Sequence, residues 1–224
     1  MKKEKGGNTK GLILLSLISL TLAGLSWSFR DAYPTNFNQD PPKPDSTRFS
    51  YTTLASGFDE PMQMAILPDL SVLVVERKGG VKLYDSNEKT VRKIAHFNVF
   101  SGIEDGLLGV ALDPNFNLNN WVYFYNSVGG ERSVSELARY ELINGELNLN
   151  SKKVLLEIPT QRIYCCHSAG HLVFDKNGLL YLSIGDNTNA EEIEGHNPTD
   201  ERPGRHLSDG QASSANSNDY RGKI

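Results

Sequence analysis

The sequence predicts an all-β chain assembled from repeated four-stranded units, the blades of a β-propeller. Three observations carry that expectation. Self-similar segments recur as MAILPDLSVLVVERKGGVKLYD (Met64 to Asp85), GVALDPNFNLNNWVYFYNS (Gly109 to Ser127) and HLVFDKNGLLYLSIGD (His171 to Asp186). Each runs from a short apolar strand through a turn into a second, more apolar strand. After the first two repeats, further strand-like runs bring each unit to four strands. From Arg48 onward no stretch of ten or more residues shows a helical period.

The N-terminus reads as a targeting segment. Lys2, Lys3, Lys5 and Lys10 form a basic region, Gly11 to Leu25 is apolar, and Ser26-Trp27-Ser28 offers small residues at a cleavage site. Residues 1–28 are therefore expected to be a signal peptide and the mature protein to be periplasmic or secreted, with no stable membrane span after cleavage. Residues 29–47, rich in Pro, Asn, Asp and Ser, are expected to be a linker. Residues 48–224 form the propeller part. A net charge of −4 with scattered charges gives no electrostatic case for nucleic acid as a partner.

In the first blade the turn is Pro68-Asp69, the third strand follows Gly79-Gly80 as Val81 to Tyr84, and the fourth is Val91 to Phe97. In the second the turn is Asp113-Pro114-Asn115, and the third and fourth strands are Arg132 to Leu142 and Val154 to Ile158. Trp121, Tyr123, Phe124 and Tyr125 are read as packing groups. Half of a third blade follows, and the terminal Arg221-Gly222-Lys223-Ile224 begins a strand. Propellers close with about four to eight blades. Two and a half blades are thus expected to be the N-terminal part of an incomplete ring. A two-sheet β-sandwich is the alternative architecture.

The third repeat carries the chemistry. Asp175-Lys176-Asn177-Gly178 supplies a hairpin turn, and a turn centred between Lys176 and Asn177 pairs positions whose numbers sum to 353. His167 and Asp186 are such a pair, and opposed residues lie roughly 5 Å apart. A carboxylate that holds one ring nitrogen and leaves the other free makes a general base. The long polar segment Asn187 to Tyr220 emerges on the same face as His167, Asp186 and Glu104-Asp105, so these features are expected to share one mouth. Asp200-Glu201-Arg202 and Arg205 are read as a solvated charge cluster. The two cysteines, Cys165 and Cys166, are adjacent, which allows a disulfide between them or two thiols. Zinc held by Cys165, Cys166, His167 and His171 is disfavoured, because on a strand the two histidines stand about 13 Å apart at 3.3 Å per residue.

These same residues carry a family likeness. Pro61 to Tyr84, EDGLLGVALDPNF (Glu104 to Phe116), HSAGHLVFDKNGLLYLSIGD (His167 to Asp186) and the terminal RGKI resemble, in order, motifs of the soluble quinoprotein glucose/sorbosone dehydrogenases. The resemblance implies a six-bladed β-propeller and oxidation of an aldose or related sugar alcohol by pyrroloquinoline quinone (PQQ). His167 would take the hydroxyl proton while hydride passes to the quinone, and Asp186 would orient the imidazole. Glu104, Asp105 and Glu191 would line the pocket. Calcium, and the arginines that grip the quinone, would be held by residues beyond Ile224. A sugar substrate and an external electron acceptor such as a cytochrome c are the implied partners. The sequence departs from the family at Cys166, where an acidic residue often stands, and at His171, where an arginine is familiar. The competing reading is a non-catalytic propeller that binds carbohydrate or protein at the same mouth. A hydrolase or lyase with a divalent ion is a third.

Overall fold

The computed structural model describes residues 43–164, 166–191 and 194–224. The expected signal peptide, most of the linker and Cys165 lie outside the described residues. The chain divides into two compact units, Met1–Thr52 and Thr53–Ile224. The described part of the first holds a single 3-10 turn, Ser46–Arg48, capped by Asp45, whose carboxylate accepts the Thr47 N–H.

The second unit holds two four-stranded antiparallel sheets and a hairpin. Strands β1 (Pro61–Ile66), β2 (Val72–Glu76), β3 (Gly80–Tyr84) and β4 (Val91–His96) pair in sequence order. So do β5 (Leu107–Leu112), β6 (Trp121–Ser127), β7 (Val134–Ile143) and β8 (Glu146–Pro159). The hairpin is β9 (Ala169–Phe174) with β10 (Leu180–Ile184). Lys223 then forms an antiparallel bridge to Ile184. These are the two blades and a half that the repeat predicts.

The first strands of the three units lie side by side, β1 against β5 and β5 against β9. One side chain ties all three. Gln63 on β1 donates its amide N–H to the Leu172 carbonyl (2.7 Å), and its Oε1 accepts the N–H groups of Val110 (3.3 Å) and Leu172 (3.2 Å).

The sheets stack because β6 is apolar on both faces. Successive strand residues point to opposite sides. Val122 and Phe124 enter the core shared with Leu73, Val75, Val81 and Phe97 of the first blade, whereas Tyr125 enters the one shared with Leu172 and Leu182 of the third. Phe97 packs on Phe124 at 5.0 Å between ring centroids and edge-on to Tyr140 at 5.2 Å. Burial pushes the Tyr125 phenol up to about 12, so it is a neutral packing group.

Strand β8 is longer than the sequence suggests. Asn144 and Gly145 (φ 51° and 71°) make a tight turn, and pairing resumes at once with Ile143↔Glu146. The run Glu146 to Lys153 reads as polar because β8 is the outermost strand, and of those residues Leu147 alone is buried. An edge strand packed on one face shows little apolar signal.

Candidate active site

The hairpin turn is built around Asp175. Its Oδ1 accepts the N–H groups of Asn177 (2.9 Å) and Leu179 (2.8 Å), and those donors, Leu179 first, hold its carboxyl below the usual carboxylate range. The turn thus includes Leu179, and the ladder pairs Leu180↔Phe174, Tyr181↔Val173 and Leu182↔Leu172, numbers that sum to 354 and not the expected 353. Carried to the open end, that register would set Asp186 opposite Ser168. A bulge between Leu182 and Ile184 moves the pairing by one, to Ile184↔Ala169. The expected register fails along the ladder, and the bulge restores it where His167 and Asp186 face each other.

The two segments that meet there are laced by polar groups. The Cys166 N–H donates to the Thr188 carbonyl (3.1 Å), the Asn187 N–H to the His167 carbonyl (3.3 Å) and the Gly185 N–H to the Ser168 carbonyl (3.3 Å). The Gln161 N–H donates to Asn187 Oδ1 (2.6 Å) and its side-chain amide to the Asn187 carbonyl (3.0 Å). Several residues take left-handed backbone angles: His167 (φ 58°), Ala169 (54°) and Asn187 (56°). Each costs about 1–2 kcal/mol in a residue other than glycine. Gly185 has no freedom to change, since a Cβ there would sit 1.6 Å from the His167 carbonyl oxygen.

His167 Nδ1 lies 2.8 Å from Asp186 Oδ1. A carboxylate only accepts, so Nδ1 carries a proton, and in the neutral ring Nε2 is then the nitrogen with the lone pair. The imidazole is 42% exposed and the carboxylate 24%, so the ring is open to solvent while the carboxylate is mostly shielded from it. Thr188, 3% exposed, donates both its N–H (3.1 Å) and its hydroxyl (3.0 Å) to that same Oδ1. On the other side, Glu104 Oε2 accepts the His167 N–H at 2.6 Å. The Glu104 loop is pinned by Arg77, whose Nη1 donates to the carbonyls of Gly102 (2.6 Å), Asp105 (3.0 Å) and Ser101 (3.2 Å).

Of the other sequence-predicted residues, Asp105 Oδ1 accepts the Ser127 and Ser168 hydroxyls (2.8 and 3.2 Å) and so braces the β9 entry. Glu191 is exposed, and its backbone donates to Asn189 Oδ1 and accepts from the Asn197 amide. Cys166 is 7% exposed and disulfide-bonded. Among the described residues no three His, Cys, Asp or Glu side chains gather as a metal site, and no helix is long and apolar enough to cross a membrane.

Among the described residues after Thr188, Asp200 departs from the solvated cluster the composition suggests, while Glu201, Arg202 and Arg205 keep contact with solvent. The Asp200 side chain is fully buried, with Arg202 Nε and Nη2 both 2.8 Å from its two oxygens. The guanidinium beside Asp200 holds its carboxyl down at about 2. Arg202 Nη1 also pairs with Glu194 (2.7 Å). The segment returns over the site through the short helix Gly210–Ser214: the Ser213 hydroxyl donates to the Asp186 carbonyl (2.9 Å), and a Cβ on Gly210 would come within 2.9 Å of Asp186 Oδ2.

Thr188, Gln161 and Asn187 escaped the sequence reading. The one local signal was Asp186-Asn187-Thr188, an Asp followed two residues on by Thr, the spacing at which an Asp side chain takes the Thr N–H.

Stacked antiparallel blades with an aspartate-held imidazole at the open end of the third hairpin define part of a β-propeller with one candidate site. The family follows from comparison: residues 58–219 match the glucose/sorbosone dehydrogenase family model, and the chain belongs to that family. It is 25% identical over 153 residues to quinoprotein glucose dehydrogenase B of Acinetobacter calcoaceticus, covering 64% of this chain and 32% of that protein. It is 24% identical over 157 residues to the human hedgehog-interacting protein, covering 62% and 22%. Among solved structures, the PQQ-bound aldose sugar dehydrogenase of Streptomyces coelicolor superposes with a TM-score of 0.54 at 23% identity, over 61% of this chain and 41% of that one. That likeness shows the fold. The chain spans well under half the length of each of these proteins.

Proposed function

We propose that this chain carries the general base of a PQQ-dependent dehydrogenase that oxidises an aldose or a related sugar alcohol group. One observation carries the reading: in a glucose/sorbosone dehydrogenase family chain, Asp186 holds His167 Nδ1 at 2.8 Å and leaves Nε2 open at an accessible mouth. The chemistry PQQ supplies when bound is acceptance of hydride. The part of the reaction this chain serves is the proton. His167 Nε2 takes it from the hydroxyl at the reacting carbon, and Asp186 stabilises the imidazolium that results.

The donor set fits that division of labour. An alcohol oxidation asks the protein for a placed base, and His167 is one. A grip on the quinone's carboxylates asks for cations, but Arg77, Arg162 and Arg202 are engaged with carbonyls or carboxylates of this chain. By the family resemblance, the quinone and calcium ligands are expected from groups other than these three arginines. Exposed Met62, Met64 and Ile66 on β1 and Val173 on β9 suit blades stacked at either end of this set. The basic and then apolar run at the N-terminus supports a periplasmic or secreted protein, where an external acceptor would reoxidise the quinone.

The test uses full-length protein reconstituted with PQQ and calcium, with dye reduction followed across a panel of aldoses. His167→Ala should lower the quinone-dependent rate by about 10²-fold or more. A second reading, a binding propeller, is favoured by the match to the hedgehog-interacting protein. Failure to bind quinone, with sugar affinity indifferent to His167→Ala, would establish that reading instead.

A further inference from the structure

The bond from His167 to Asp186 does not by itself fix the imidazole. A carboxylate turns easily about its last torsion, whose energy wells are broad and two-fold, so either oxygen could meet Nδ1 at a range of angles. Oδ1 is singled out here by three donors. The His167 Nδ1–H reaches it at 2.8 Å, the Thr188 N–H at 3.1 Å and the Thr188 hydroxyl at 3.0 Å. The hydroxyl oxygen is also 3.5 Å from Nδ1 itself, so it stands at the corner of the pair. Thr188 further accepts the N–H of Cys166, the residue before the base. It is buried at 3% exposure, so no water replaces what its hydroxyl supplies.

We infer that Thr188 is a positioning residue for His167, acting by clamping Asp186 Oδ1 with its hydroxyl while its carbonyl holds the backbone that leads into the base. This rests on the general-base reading above. Thr188 touches neither substrate nor quinone in this scheme. Its hydroxyl fixes which carboxylate oxygen faces the ring, and so fixes the direction of the Nε2 lone pair. A hydroxyl that merely closed a local Asp-X-Thr turn would affect folding and leave the ring alone.

Thr188→Val keeps the shape and the backbone contacts and removes the hydroxyl. Thr188→Ser keeps the hydroxyl and removes the methyl. Both are made in full-length protein, alone and with His167→Ala, and assayed with PQQ, calcium and the best aldose of the panel. The valine variant should lose about tenfold in kcat, the order of one hydrogen bond to a charged group, with KM within about twofold and the melting temperature little moved. The serine variant should recover most of that loss. With His167→Ala in place, the valine change should no longer matter. In the quinone-free protein, the His167 Nδ1–H proton resonance should persist in wild type and the serine variant and broaden through exchange in the valine variant. Equal losses in valine and serine, a valine loss that persists beside His167→Ala, or an Nδ1–H signal indifferent to the valine change would each overturn the inference. An unchanged Nδ1–H pattern with a rate that still collapses in His167→Ala would sink the clamp and spare the base. A rate indifferent to His167→Ala would overturn the base, and the clamp with it.

Discussion

The seam between the first two blades and the open end of the third hairpin are built on opposite principles. At the seam, Phe97, Phe124 and Tyr140 pack ring on ring among Leu73, Val75, Val81 and Val122. Ordinary strand backbone suffices there. At the hairpin's open end, apolar packing gives way to Gln161, Asn187, Thr188, Glu104 and Asp105, and three non-glycine residues take left-handed angles. The seam is stabilised by burial, which is strong and directionless. The hairpin end is held by hydrogen bonds, which add little net stability but fix direction. The base proposed for His167 needs direction, and the strain of its placement is carried by the packed blades next to it.

The comparison breaks most visibly at the seam. Phe124 is fully buried between Phe97 and Tyr140, and Phe124→Ala should cost about 3–5 kcal/mol. Urea unfolding should show a lower midpoint with an unchanged slope, while the rate per folded molecule stays within about twofold of wild type. A rate that falls with the burial loss would mean the two regions are not separable.

Glu104→Ala sharpens the comparison from the other side. It removes the acceptor of the His167 N–H from an exposed side chain, so the stability loss should stay under about 1 kcal/mol. Turnover should nevertheless fall roughly fivefold, the share of one strong hydrogen bond that steadies the backbone of the proposed base. Kinetics and thermal melts on the same samples check this. A variant that melts early with kcat intact would make Glu104 a stability residue instead.

How much of this was legible in the sequence follows the same division. The blades declare themselves because burial on two faces writes period-two and continuous apolar runs, as in Trp121 to Tyr125, and because Asp175 and Asn177 carry turn chemistry. The first half of β8 does not, since an outermost strand buries little. His167 and Asp186 could be paired from the hairpin, but the register came out one off along the ladder, and a bulge that no residue type announces brought them together. Asn187 and Gln161 meet across distant segments, and Thr188 ties Asp186, two residues before it, to the backbone of Cys166. Nothing periodic marks such residues. Asp200 was read as solvated because composition reports how many charges a loop holds, not which one turns inward.

Asp200 provides the smallest expected effect and the finest test of what holds the hairpin end. Arg202 keeps its carboxyl at about 2, below the ordinary 3.8. A carboxyl depressed on folding contributes stability that is present above its unfolded value and lost as pH falls through its folded one. The window therefore runs from about pH 4 to about pH 2. Two amides report on the segment, the Asn189 N–H bonded to the Leu207 carbonyl and the Asp200 N–H bonded to the Ser208 carbonyl. Their hydrogen-exchange protection should fall through that window in wild type, while the Phe124 amide in the seam holds. In Asp200→Asn no carboxyl titrates there, so protection should start lower at pH 4 and slope less. What slope remains belongs to Glu194 and Asp219, whose carboxyls Arg202 and Arg221 also hold low. Equal slopes in the two proteins would mean that the buried Asp200–Arg202 pair does not hold the segment against Asp186, and that the polar end of the molecule relies on packing after all.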